Sequence, residues 1–188
     1  MRLRILISAL IAAFALAASD PQADAVTRKI DLIENAAARP GSVFVFTSSE
    51  LNAWVRSKAP SVVAQGFRNP RLELGNDAAT GYALVDFLKI RSASGLDTNW
   101  LLAKLIEGEK PVSATAEIRS ANGQLTVHLK RVEIGGIAVT GSALDFLIKN
   151  FFLPLYPNAQ IDQPVALADG VDHIQVSPDA ARVYIKRK

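Results

Sequence analysis

Hydrophobic and polar residues alternate strictly at the start of residues 124–134, and this alternation predicts the strand around which the chain is organised. The apolar side chains of its first half share one face: Leu125, Val127 and Leu129. Lys130 and Arg131 then interrupt the pattern, which resumes one residue out of phase at Val132. Because an extra residue in one strand forms a β-bulge, we expect this strand to bend.

A glycine-rich turn at Gly135-Gly136 and a short strand follow, and a helix is predicted over residues 142–153. Its apolar residues recur at spacings that stack on one helix face: Leu144, Leu147, Ile148, Phe151 and Leu155. Further apolar residues lie off this stripe, so the helix is hydrophobic around most of its circumference: Phe146, Phe152 and Leu153. We therefore expect a curved antiparallel sheet wrapped around a long apolar helix.

Turn residues elsewhere in the chain predict further antiparallel strands. Gly75-Asn76-Asp77 and Asn122-Gly123 separate alternating runs, as in β-hairpins, and three short strands are expected between residues 164 and 186. A short helix is predicted over residues 98–107, inserted between strands. The strand–helix–strand rhythm of parallel sheets does not occur, so the fold class is predicted to be α+β, with short flanking helices.

Two of these flanking helices are predicted ahead of the sheet. Asp20-Pro21 is typical of a helix start, and Arg39-Pro40-Gly41 is expected to end that helix. Thr47 and Glu50 have the spacing of a capping box, which predicts a second helix that ends before Pro60.

The N-terminus has the pattern of a signal peptide over residues 1–17. Two arginines precede an apolar run over residues 5–16, and Ala15-Leu16-Ala17 resembles a cleavage site. The run is shorter than the roughly 20 residues of a transmembrane helix, although an uncleaved N-terminal anchor is the alternative. We expect the mature protein to be exported to the periplasm or cell envelope. An N-terminal helical segment over residues 18–42 then precedes one α+β domain over residues 43–188.

Composition and charge exclude some classes of binding partner. With 49% hydrophobic and 21% charged residues the chain is long enough to bury a core. Without Arg2 and Arg4, the 21 basic residues become 19 against 18 acidic ones, a formal charge of +1. Only the tail at residues 186–188 clusters cations, so nucleic acid is not an expected partner. This tail is expected to be a frayed, solvated end, with transient contact with an anionic membrane surface as the alternative.

No catalytic, metal or cofactor motif is present, so we predict neither an enzyme nor a cofactor. The chain has no Cys, which excludes disulfides and thiolate metal sites. Four aspartates lie near His173, but their spacing matches no calcium loop and such aspartates are common in turns: Asp162, Asp169, Asp172 and Asp179. A hydrolase would need a serine paired with His128 or His173, and no serine motif supports one.

Several short motifs resemble those of small exported bacterial proteins with a tubular lipid-binding (TULIP-like) domain. Residues 47–52 are similar to the T-x-x-E-L-N helix start of that family. Residues 123–127 and 132–139, ahead of the apolar helix, and the closing strands over residues 164–185 also resemble it. The resemblance covers about residues 43–186 and implies lipid binding or transfer without catalysis. The inserted helix over residues 98–107 departs from the family pattern.

We interpret the chain as a non-catalytic exported binding protein for a lipid or other apolar ligand. The sheet is expected to line the site with Val85, Phe87, Leu125, Val127 and Leu129. The long helix is expected to contribute Leu144, Leu147, Ile148 and Phe151, with Trp54 and Trp100 near the mouth. The alternative is an envelope structural or protein-interaction module with a dry core and no ligand.

Overall fold

The computed structural model describes residues 20–62, 66–87, 89, 108–149 and 161–187, which form an α+β fold with antiparallel sheets. The helices are α1 (Pro21–Glu34), α2 (Ser48–Val62) and α3 (Gly141–Leu147). The strands are β1 (Val43–Thr47), β2 (Phe67–Gly75), β3 (Ala78–Asp86), β4 (Glu109–Ala121), β5 (Gln124–Ile134), β6 (Ile137–Val139), β7 (Pro164–Ala166), β8 (Val171–Val176) and β9 (Ala180–Ile185). The helix predicted over residues 98–107 lies outside the described residues.

A three-stranded sheet with the order β1-β9-β8 brings together both ends of the described chain. Helices α1 and α2 pack on each other, and their apolar residues meet one face of this sheet. The buried members of this first core are Val26, Ile33, Phe46, Val171, Val183 and Ile185. Val26 at 0% exposure is its centre, so α1 is an integral layer of the fold.

A six-stranded sheet with the order β2-β3-β4-β5-β6 forms the second layer, and β7 also pairs with β5. The predicted bulge in β5 is confirmed, because Thr115 pairs with Arg131 while Ala116 pairs with Leu129, which leaves Lys130 without a partner in β4. The Asn122-Gly123 hairpin is also confirmed. Both of its turn residues have positive φ, 53° and 74°, as a type I′ turn requires.

The second core lies between α3 and one end of the six-stranded sheet. Its buried residues are Val85, Phe87, Ile134, Val139 and Leu147. Within the described residues α3 has 7 residues and packs on this end alone, so a long apolar helix wrapped by the sheet is not shown. Residues 150–153 of the predicted helix lie outside the described ranges.

Both N-terminal helices start where the sequence predicts. The Asp20 side chain accepts a hydrogen bond from the Gln22 amide at 2.9 Å. The capping box is confirmed, since Thr47 Oγ1 accepts from the Glu50 amide at 3.2 Å and Glu50 Oε2 accepts from the Thr47 amide at 2.9 Å. Helix α1 ends at Glu34, before the predicted Arg39-Pro40-Gly41 stop.

The predictions for the following segment were wrong at two boundaries. Helix α2 continues through Pro60 to Val62, because a proline in the last turn removes a single backbone hydrogen bond while the helix is held by its packing on α1 and β2. Gly66 and Pro70 predict a loop over residues 60–70, but strand β2 already begins at Phe67. Its register shifts between Arg68 and Arg71, and this irregularity accommodates Pro70, which has no amide to donate.

The two sheets are joined where strand β8 meets the turns and strand ends of the six-stranded sheet. The Asp77 amide donates to the Val176 carbonyl at 3.0 Å, and the Gly123 amide donates to the Asp172 carbonyl at 2.6 Å. Between them, the Ile174 amide donates to Ser120 Oγ at 2.9 Å. These bonds satisfy the edge of β8 that faces away from β9 and fix one sheet against the other.

A single side chain of α2 bonds the outer edge of β2 at Leu72. Asn52 Oδ1 accepts from the Leu72 amide at 2.9 Å, and Asn52 Nδ2 donates to the Leu72 carbonyl at 2.7 Å. The same amide nitrogen donates to the Ser48 carbonyl at 2.8 Å. One side chain therefore imitates a neighbouring strand and holds α2 on the sheet edge.

We predict that Asn52→Ala lowers the free energy of unfolding by about 1–3 kcal/mol, because it leaves both polar groups of Leu72 without their partner. Urea unfolding followed by circular dichroism measures this change. Asn35→Ala is the control, since exposed Asn35 bonds only a carbonyl of its own helix. Similar losses in both variants would contradict the role assigned to Asn52.

Candidate functional site

One face of the six-stranded sheet is almost entirely apolar. The strand registers place Gly81 beside Leu72 and Ala114, and Ala114 beside Val132. The same register assigns Ser120, opposite Leu125, and the following apolar residues to this face: Leu74, Ala79, Ala83, Val85, Val112, Ala116, Ile118, Leu125, Val127, Leu129 and Ile134. Lys110, opposite Val85 at one end, is the only charged residue that the paired registers of β3, β4 and β5 assign to this face. The alternation read in the sequence therefore produces a broad apolar surface.

Helix α3 covers this face at one end only. Beneath it, Val85 and Ile134 are 2% and 1% exposed. Towards the β4–β5 turn, the predicted ligand residues Leu125, Val127 and Leu129 are half-buried and belong to neither core. The degree of coverage thus falls along the sheet.

Among the described residues, nothing fills the centre of the apolar face at Gly81. A Cβ added at Gly81 would have no described heavy atom within 4 Å. Its neighbours on this face are small, since Ala79 and Ala83 flank it along β3 and Ala114 lies opposite. We call the space above Gly81 the central hollow. Its walls, where the structure describes them, are aliphatic.

The structure brings only some of the predicted ligand residues together. Four of them meet in the second core: Val85, Phe87, Leu144 and Leu147. Ile148, directly after α3, is half-buried. Trp54 instead packs against the first core, because α2 lies along the edge of β2 and directs this side chain towards the three-stranded sheet. Trp100 and Phe151 lie outside the described residues.

The opposite face of the six-stranded sheet is polar, and its charges pair with one another. Glu117 Oε2 lies 2.7 Å from Lys130 Nζ, and Glu117 Oε1 lies 2.6 Å from Arg119 Nε. Hydrogen bonds from Lys130 and then Arg119 lower the pKa of Glu117 from 4.5 to about 2. A hydrogen bond from Arg131 likewise lowers the pKa of Glu133. Among the paired residues of this face, the carboxylates already have cationic partners.

The aspartates near the two histidines do not converge on one point. His128 Nδ1 lies 2.8 Å from Asp162, His173 Nδ1 lies 2.9 Å from Asp172, and Asp179 pairs with Arg182. Over residues 20–62, 66–87, 108–149 and 161–187, no group of three or more His, Cys, Asp or Glu side chains is placed to hold a metal ion.

Two polar cavities lie beside strand β8, and His173 lines both. The first has a volume of about 480 Å³ and lies where β8 meets the end of β4. The second, which we call the tail cavity, has a volume of about 570 Å³ and is lined mainly by Val43, Asp172, His173, Tyr184, Lys186 and Arg187. Among the described residues that line them, neither cavity includes a predicted ligand residue.

Sequence reasoning missed the tail cavity, although a signal for it exists. Val171 and Ile174 both face the first core, with the two polar residues Asp172-His173 between them. Strict alternation would place only one residue there, so this spacing indicates a bulge like that at Lys130-Arg131. The structure confirms the irregularity, since Val171 pairs with Ile185 while His173 pairs with Tyr184.

We predict that Lys130→Gln raises the pKa of Glu117, because it removes the strongest hydrogen bond to that carboxylate. Carbon-13 NMR of the Glu117 carboxyl carbon should show a midpoint near 2 in the original chain and a higher one in the variant. Since folding lowers this pKa, the stabilisation by Glu117 is complete above pH 4.5 and is lost as the pH falls towards 2. Lys149→Gln, which removes an exposed charge after α3, should leave the midpoint unchanged.

Within the described part of the chain, no helix has both the length and the hydrophobicity needed to span a membrane. Comparison of the chain with models of known protein families, with curated proteins and with solved structures found no match. The similarity of its motifs to TULIP-like domains therefore stays a prediction from the sequence.

Proposed function

We propose that this chain is a non-catalytic exported binding protein that holds a lipid or other apolar ligand in the central hollow. The observation that carries the proposal is the open space above Gly81, in the middle of an apolar sheet face. Small residues lie at the centre of this face and larger aliphatic residues lie towards its ends. Such a depression suits a narrow, flexible, apolar guest.

The energetics favour a guest without a strong polar anchor. Each methylene transferred from water to this face would contribute about 0.8 kcal/mol to binding. The half-buried residues Leu125, Val127 and Leu129 would lose their remaining contact with water at the same time. Apolar pockets with few polar groups are typical of lipid and small-molecule sites. The residue composition of this face therefore favours an acyl chain over a charged substrate as the ligand.

The proposal includes the finer architecture expected from the sequence, a curved sheet wrapped around a long apolar helix. It is supported by the confirmed bulge in β5 and by the apolar stripe of α3, which continues in the sequence to Phe151 and Leu155. The TULIP-like motifs point in the same direction. Under this proposal the protein works in the periplasm or cell envelope and contacts a membrane surface transiently to load or release its ligand.

Native mass spectrometry of the protein purified from a cell envelope, followed by solvent extraction, tests the proposal. A stoichiometric lipid that is released on denaturation would support it and would identify the class of guest. A protein that carries no lipid and takes up no fluorescent fatty acid would contradict it. That outcome would favour an envelope structural or interaction module with a dry core.

We predict that Gly81→Phe reduces fatty-acid uptake at least tenfold while the protein stays folded. The ring would fill the central hollow, where no described atom lies within 4 Å, and phenylalanine is favoured over glycine in a strand. Uptake of a fluorescent fatty acid and thermal unfolding are the two measurements.

Thr80→Phe is the matched control for this experiment. Thr80 is the neighbouring residue of β3 and points to the polar face, where its hydroxyl lies 3.0 Å from that of Thr115. Uptake should be unchanged in this variant. Equal uptake by the original chain and by Gly81→Phe would place the ligand elsewhere. Equal losses of uptake in Gly81→Phe and Thr80→Phe would show that the loss does not depend on which face of the sheet carries the phenylalanine.

A further inference from the structure

The tail cavity is built by an irregularity in β8 and by the end of β9. Because β8 carries one extra residue at Asp172, both Asp172 and His173 lie outside the first core and line the cavity. The His173 ring stacks on the Tyr184 ring, with centroids 4.4 Å apart and planes 9° from parallel. The Tyr184 hydroxyl lies 3.1 Å from Gln175 Oε1, which holds the stack in place. One wall of the cavity is therefore formed by two stacked rings.

Lys186 and Arg187 line the same cavity. Backbone hydrogen bonds at the end of β9 fix the position of the chain at Lys186. The Lys186 amide donates to the Gly170 carbonyl at 2.8 Å, and the Lys186 carbonyl accepts from the Gly41 amide at 3.0 Å. The chain at Lys186 is thus held on both sides, although a frayed end was expected from the sequence. The Lys186 side chain crosses Gly123 of the β4–β5 turn, where an added Cβ would come within 3.3 Å of its Nζ. Arg187 follows directly and lies against Gly41, where an added Cβ would come within 3.4 Å of its Cγ.

Neither Lys186 nor Arg187 has an ion-pair partner among the described residues. The acidic group in the cavity lining is Asp172, and its carboxylate is already bonded to His173 Nδ1 at 2.9 Å. Two unpaired cations therefore oppose one engaged carboxylate. Elsewhere in the structure, by contrast, Lys130 pairs with Glu117 of the neighbouring strand and Arg131 pairs with Glu133 of its own strand.

We propose that the tail cavity binds a phosphate group through Lys186 and Arg187, against the wall formed by His173 and Tyr184. An arginine fork and a lysine point charge are the usual partners of phosphate oxygens, and together they balance a doubly charged monoester. A volume of about 570 Å³ leaves room for the group that carries the phosphate. That group is either a soluble phosphate ester or the head of a phospholipid, and the chemistry of the site is the same for both.

This site is separate from the central hollow. The proposal of a phosphate site and the proposal of an apolar ligand can therefore be tested independently. The tail cavity lies beside the three-stranded sheet and shares no described lining residue with the apolar face of the six-stranded sheet. Fatty-acid uptake should be unchanged when the tail cations are removed. An uptake assay on the same variants therefore distinguishes failure of one proposal from failure of the other.

The test titrates the full chain with glycerol 3-phosphate at low salt by isothermal calorimetry. In a second arm the chain is floated with vesicles of phosphatidylcholine alone or with added phosphatidic acid. Lys186→Gln with Arg187→Gln should weaken binding at least tenfold, because each cation supplies a charge-assisted hydrogen bond. Arg28→Gln with Arg56→Gln removes the same charge from exposed positions of α1 and α2 and should change binding less than twofold.

Each outcome decides the proposal. If the chain binds glycerol 3-phosphate, and only the variant with Lys186→Gln and Arg187→Gln loses this binding, the proposal is supported. Free phosphate esters then reach the site. Binding only to vesicles with phosphatidic acid, lost in the same variant, supports it with a lipid head group as the source. Absence of binding in both arms, or equal weakening in the tail variant and the control, overturns it. Circular dichroism and thermal unfolding confirm that both double variants remain folded.

Discussion

The fold depends on satisfying the backbone groups at the edges of two short sheets. Strand β8 would be an open edge, but two turn amides and one serine hydroxyl of the six-stranded sheet bond its backbone. Strand β2 also has an edge without a neighbouring strand, and Asn52 of α2 makes two hydrogen bonds to this edge at Leu72. Because an unsatisfied edge is both costly and prone to pair with other chains, these few contacts determine how helices and sheets are arranged.

This arrangement separates the chemistry of the six-stranded sheet into two faces. On the polar face, carboxylates such as Glu117 are neutralised by neighbouring cations of the same sheet. On the apolar face, α3 covers one end while the centre at Gly81 stays open in the described structure. An apolar surface that the described helices leave partly uncovered is where a guest gains most from burial, and this contrast motivates the proposed function.

Much of the local structure was predictable, because it depends on neighbours in the sequence. The capping box at Thr47 and Glu50, the Asn122-Gly123 turn and the bulge at Lys130 were all predicted correctly from short patterns. The helix end at Pro60 was wrong, since packing on β2 and α1 outweighs the local preference to stop. The bulge at Asp172 has the same sequence signal as that at Lys130 but was not predicted.

The sequence by itself determined the α+β class, the hairpins and the sidedness of the strands, because turn chemistry and the period of two are properties of adjacent residues. Only the tertiary structure decided which apolar residues share a core. Trp54 packs with the first core and Phe87 with the second. In the sequence both are only apolar residues, and nothing near them indicates which core they join. The tertiary structure also brought Lys186 and His173 into the lining of the same cavity. Such placements depend on pairings between distant parts of the chain, such as β1 with β9, which no local pattern specifies.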